Sequence, residues 1–146
     1  MNLEELIDKK LELFSTESKS NEALIESVEN RFEVFFDYLQ AEYAEDLNDE
    51  EFEMLLFPQI ISLLCAIDID DKTEFDPEVY VQEEEYGFKL LEEHNTREVF
   101  NFSYDFKYLD LIYFVEDYLD GMDEEGISKV VQNIIYVVST SLLKAI

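Results

Sequence analysis

Apolar residues recur along most of this chain at helical spacing. Leu3, Leu6, Ile7, Leu11 and Phe14 predict an amphipathic helix over residues 2–15. The polar run from Ser15 to Asn21 predicts a loop that ends in helix N-cap residues. Leu24, Val28, Phe32, Phe35, Leu39 and Tyr43 then form one stripe, which predicts a long second helix to about residue 46. Asn48 followed three residues later by Glu51 has the form of a capping box and predicts the next helix start. Pro58 falls inside the apolar pattern that follows and predicts a kink or a break. Residues 59–67 are apolar on most sides and read as a buried helix.

Residues 68–76 are mostly acidic and read as a loop. Asp76 before Pro77 combines an N-cap residue with proline at the first helical position, so a helix is expected from there to about Glu93, weakened by Gly87. His94, Asn95 and Thr96 end it. Phe100, Phe102, Tyr104, Phe106 and Tyr108 alternate with polar residues, a period-two signal for a strand. A lone strand needs a partner, and only Val79–Val81 offers one, so helix or irregular structure is favoured over 100–108. A helix from Leu109 to Gly121 and a last one over about 124–145 complete the pattern. The last carries Ile127, Val130, Val131, Ile134, Val138, Leu142 and Ala145, and its β-branched residues require burial to hold it helical. The expected fold is all-α, one domain over 1–146 with five to seven helices and room for one small β-hairpin.

Composition narrows the function. The chain has 146 residues, 37 of them Asp or Glu and 10 Lys or Arg, for a net charge of −27. Direct nucleic-acid binding through phosphate neutralisation is excluded by that balance. Electrostatic docking to an anionic membrane is excluded likewise. One cysteine rules out a disulfide framework. With 47% hydrophobic residues, 3 Gly and 2 Pro, the chain is built to fold. Met1-Asn2-Leu3-Glu4-Glu5 has no signal-peptide character, and the apolar stretch Met54–Ile67 is short for a membrane span, so a cytoplasmic location is expected.

Few routes to catalysis are open. His94 is the only histidine, which removes paired-histidine zinc motifs and histidine-containing di-iron motifs. Cys65 lies among Leu63, Leu64, Ala66 and Ile67 and reads as a buried small hydrophobe. Glycines at 87, 121 and 126 cannot form a phosphate loop. An EF-hand frame begun at Asp68 fails, with Lys72, Thr73 and Val79 at positions that need a ligand, glycine and glutamate. Glu42 with Glu45, Glu50 with Glu53, and Asp117 with Asp120 have the spacing of a Mg-dependent all-α nucleotide hydrolase. No basic cluster accompanies them to hold phosphates. No catalytic residue, metal site or cofactor is therefore expected.

The distribution of charge is more informative than its total. Spread evenly over roughly 7,800 Å², the charge would come to about one per 290 Å², ordinary for a soluble protein. It is not spread evenly: residues 32–71 contain 12 acids and no base, and the stretches between Thr73 and Phe88 and between Tyr108 and Ser128 are also free of bases. Glu22, Glu26, Glu29, Glu33 and Asp37 would share an arc of about 80° and a length of about 22 Å on a continuous helix. Like charges at this spacing cost about 0.2–0.5 kcal/mol per pair. The expected partner surface is that stripe, the following acids Glu45, Asp46, Asp49, Glu50 and Glu53, and the aromatics Tyr104 and Tyr108 as anchors. The function expected is an acidic inhibitor, of the immunity-protein or antitoxin kind, that blocks a basic nuclease or nucleic-acid-binding protein. A DNA mimic acting on restriction or CRISPR components and the Mg-dependent hydrolase are the alternatives.

Overall fold

The computed structural model describes residues 2–15 and 19–146, except the side chains of 19 and 20. The centre of the expected first loop, residues 16–18, lies outside the described residues. The fold is all-α: seven α-helices, 79% of the chain helical, and no strand among the described residues. The helices are α1 (Leu3–Ser15), α2 (Lys19–Arg31), α3 (Glu33–Tyr43), α4 (Asp49–Ile69), α5 (Pro77–His94), α6 (Leu109–Glu124) and α7 (Lys129–Ala145). A single 3₁₀ turn occupies Arg97–Val99. The chain divides into two compact units, residues 1–75 and 76–146. No change in composition marks that boundary.

In the first unit α1 and α2 pack on α4. Asn2 caps α1, its Oδ1 accepting from Glu5 N at 2.8 Å. The predicted capping box opens α4: Glu51 N donates to Asn48 Oδ1 at 2.8 Å, and Asn48 N to Glu51 Oε1 at 3.0 Å. Two expectations fail here. The long second helix is two, because Phe32 leaves helical geometry at φ −112°, ψ 39°. The flanking bonds survive, Phe32 N to Val28 O at 3.0 Å and Phe36 N to Phe32 O at 3.1 Å. The run Phe32–Phe36 is aromatic and β-branched, with low helix propensity, and Phe32, Phe35 and Phe36 are all buried. α2 also begins by Lys19, ahead of the expected Asn21 cap.

Pro58 does not break α4, which runs 21 residues through it. A proline inside a helix costs about 3 kcal/mol. Leu55, Ile60, Ile61, Leu63 and Leu64 are all buried, and each contributes about 1.5–3 kcal/mol, so burial wins. The continuous helix is longer than the 14-residue stretch the sequence suggested. Among the described residues it is the one helix long and apolar enough, by length and composition, to cross a membrane, and 56% of its most apolar window is buried in the structure.

In the second unit α5 and α6 pack on α7. Asp76 caps α5, its Oδ1 accepting from Glu78 N at 3.1 Å and Val79 N at 3.2 Å. Its own N–H reaches Ala145 O at 2.8 Å and ties the start of the unit to its end. Asn95 ends α5 in the left-handed region at φ 55°. Gly87 is used for closeness: a Cβ there would lie 3.1 Å from Val137 Cγ1 and 3.5 Å from the Phe100 ring. The last helix starts at 129 instead of 124. α6 continues to Glu124, Gly126 turns the chain at φ 81°, and Ser128 caps α7. Between Ile135 and Leu143 every α7 residue is buried, which holds its β-branched sequence helical. Thr140 Oγ1 donates back to Tyr136 O at 2.9 Å, so its hydroxyl is satisfied there.

Residues 100–108 are irregular. Val79–Val81 lies inside α5, so no strand partner exists there. Phe100 meets Tyr136 edge-on at 4.9 Å, and Phe102 and Phe106 lie 5.6 Å apart. The period-two aromatics are thus divided between the unit's interior and a turn, closed by Phe106 N to Ser103 O at 2.9 Å, that exposes Tyr104.

Replacing Asn48 by Ala removes the side-chain half of the capping box. Urea denaturation is expected to show a loss of about 1 kcal/mol with an unchanged m-value.

Candidate functional site

The acidic site is assembled at the α3–α4 corner of the first unit. α3 ends at Tyr43, where the N–H groups of Asp46 and Leu47 fold back on Tyr43 O at 3.2 and 3.1 Å. α4 begins at once from the Asn48 cap. This tight connection gathers Glu42, Glu45, Asp46, Asp49, Glu50 and Glu53, and all six are exposed. Asp49 and Glu50 sit in the first turn of α4, where the helix dipole favours them. Glu42 sits in the last turn of α3, where the dipole opposes it and no base is present.

Nearby cations do not neutralise it. Arg31 Nη2 donates to the backbone oxygens of Asp71 and Thr73, the latter at 3.1 Å. Lys10 pairs with Asp68 at 2.6 Å. Among the described residues, no ion pair reaches Glu33, Asp37 or any of the six corner acids.

The expected stripe is only partly assembled. Glu22 and Glu26 are exposed and Glu29 half-buried on α2, while Glu33 and Asp37 are exposed on α3. The break at Phe32 falls between these groups, so the 80° arc of a single straight helix does not describe them. Glu45, Asp46, Asp49, Glu50 and Glu53 are exposed as the expected surface requires. Of the two aromatic anchors, Tyr104 is 94% exposed and Tyr108 only 2%. Tyr108 is thereby corrected from surface anchor to core residue. It precedes α6, and its ring packs with Phe106 at 6.3 Å. Both tyrosines belong to the second unit.

The candidates for chemistry take structural places. Cys65 is buried, and burial pushes its thiol up to about 12, with Lys10 lowering it and Asp68 raising it by smaller amounts. His94 closes α5 and is exposed. Asp70 Oδ1 accepts from Lys72 N at 3.0 Å, a turn contact. Among the described residues, no group of three or more His, Cys, Asp or Glu is placed to hold a metal.

One feature of the second unit has no counterpart in the sequence reading. A cleft of about 490 Å³ is lined by Asn95, Thr96, Arg97, Glu98, Glu116, Asp120, Lys129 and Asn133. Its walls come from the α5 exit, α6 and α7, segments separated by up to 38 residues of sequence, so no local pattern announces it. Within those segments, the pairs Glu116 with Asp120 and Lys129 with Asn133 have i,i+4 spacing. The Arg97 guanidinium lies 5.5 Å from the Tyr136 ring and 3.7 Å from Asp120. Glu116 accepts from Tyr136 OH at 3.5 Å. Burial raises the Glu116 carboxyl, and Arg97 and the Tyr136 hydroxyl only partly oppose that.

Compared with protein-family models, curated proteins and solved structures, the chain matches none of them.

Two measurements check these placements. Cys65 is expected to ignore a thiol reagent in the native protein and to react stoichiometrically after denaturation. For Glu116 the folded value lies above the unfolded one, so its ionised form costs stability at neutral pH. That cost disappears as pH falls through the interval between the two values. E116Q should therefore gain less stability than wild type as pH falls from neutral to about 4.5, the ordinary value of the carboxyl. Identical pH profiles for the two proteins would contradict this.

Proposed function

We propose that this protein is an acidic inhibitor that binds and blocks a basic partner, in the manner of an immunity protein or antitoxin. The partner is a nuclease or another nucleic-acid-binding protein, and the setting is cytoplasmic. The observation that carries this reading is the α3–α4 corner: six exposed carboxylates in 12 residues of chain, without an ion pair among the described residues, while Arg31 and Lys10 are engaged elsewhere. A surface of one sign speeds encounter with a surface of the opposite sign and discriminates against acidic competitors. Tyr104 supplies an exposed aromatic of the kind that anchors interfaces, on the second unit. A DNA mimic needs ordered carboxylates in place of phosphates, and the break at Phe32 interrupts the helix expected to align five of them.

The test is capture of a basic protein from the source cells at low salt, followed by titration of the purified pair. Association should slow by about tenfold or more as salt rises from about 0.05 to 0.5 M. Combining Glu42→Gln, Glu45→Gln, Asp46→Asn and Glu53→Gln should reduce the association rate by a similar factor while leaving the melting temperature close to wild type. An association rate that does not respond to salt or to these substitutions would remove the electrostatic account.

A further inference from the structure

We propose that the cleft in the second unit binds a small zwitterion of the free amino-acid class, with its carboxylate on Arg97 and Lys129 and its ammonium on Glu116 and Asp120. This site shares no residue with the acidic corner and does not depend on the inhibitor reading, since all its residues lie within 95–133.

The cleft has the size of a small-ligand pocket. Its volume of about 490 Å³ falls within the roughly 300–1,000 Å³ usual for such sites. All eight residues lining it are polar or charged. Three segments of backbone hold them: the αL turn at Asn95 and the 3₁₀ turn after it, one turn of α6, and the first turns of α7.

The charged groups in the cleft are incompletely satisfied. Arg97 has five N–H donors. Its nearest carboxylate among the described residues, Asp120, stands 3.7 Å from Nη2, beyond hydrogen-bond length. Tyr136 flanks the guanidinium, which limits its freedom to turn elsewhere. Glu116 is half-buried, and the one hydrogen bond it receives, from Tyr136, is long at 3.5 Å. Arg97 makes no ion pair with Glu116 among the described residues, and its charge offsets only part of what burial costs the Glu116 carboxylate. Lys129 does pair with Asp123 at 2.9 Å, but both side chains are more than half exposed, and such a pair is readily exchanged.

Net charge selects the ligand class. A chain of net −27 disfavours a simple anion. A simple cation would be drawn by Glu98, Glu116 and Asp120 but would leave Arg97 and Lys129 in the same wall without a counter-charge. A neutral sugar or alcohol would leave the half-buried charges without counter-charges. A zwitterion meets both signs and carries no net charge into the field of the protein.

The experiment is calorimetric and thermal titration of the full chain with the twenty common amino acids, with methylamine and acetate as single-charge controls. At least one amino acid should bind saturably and raise the melting temperature by about 5 °C at roughly 100-fold excess over its Kd. Each control should bind at least about tenfold more weakly. R97M and E116Q, checked for folding by circular dichroism, should each weaken the amino acid at least about tenfold. No response to any amino acid overturns the proposal. Equal binding of methylamine or acetate overturns the ligand class, and unchanged affinity in both folded variants overturns the site. If either variant fails to fold, the contrast between amino acid and single-charge controls on the wild-type chain decides the matter.

Discussion

Each half of this protein is organised around one helix that cannot face water. α4 carries a nearly continuous run of buried residues from Leu55 to Ala66, and α7 another from Ile135 to Leu143. The amphipathic helices α1 and α2 supply the cover in one unit, and α5 and α6 in the other. Burial of that extent explains why a proline inside α4 and a β-branched sequence in α7 are both tolerated as helix. The charge is accordingly displaced to the covering helices and the corners between elements.

Scarcity of cations sets the second level of organisation. With 10 bases for 37 acids, the placement of each base decides which carboxylates are compensated. Arg31 faces backbone oxygens of the loop after α4, Lys10 meets Asp68, and Lys144 meets Glu83 at 3.0 Å. These contacts fasten chain ends and loops. Among the described residues they leave the α3–α4 corner without an ion pair, and Arg97 and Lys129 both line the cleft of the second unit. The same shortage thus produces an acidic surface in one unit and a mixed-charge pocket in the other.

What could be read in the sequence was what local chemistry decides. Asn48 with Glu51, Asp76 with Pro77, and the Asn95 stop all act within four residues, and all three stand as expected. Of the stripe Leu24, Val28, Phe32, Phe35, Leu39 and Tyr43, all but the half-buried Leu24 lie in the core. The misreadings have tertiary causes. Phe32 interrupts a helix because three neighbouring aromatics are buried together, and Pro58 does not interrupt one because its surroundings are buried. Tyr108 had the same alternation as Tyr104, yet one ring is in the core and the other is exposed, a division that depends on the turn at Ser103–Phe106. Of the acidic surface, the residues at the α3–α4 corner were legible from the absence of bases alone. The cleft was not, because its walls converge only after three separate segments pack.

The boundary at residue 76 also bears on how the chain acquires its structure. α4 finds the helices that cover it upstream, in residues already synthesised, and α7 finds α5 and α6 the same way. In each unit the organising helix comes last in sequence, after its cover. Loop closures are therefore confined to stretches of about half the chain, which keeps their entropic cost low and favours rapid folding. On a ribosome, the apolar segment of each unit emerges with its covering helices already available, which shortens the time for which a 21-residue apolar helix is exposed to water or to other chains.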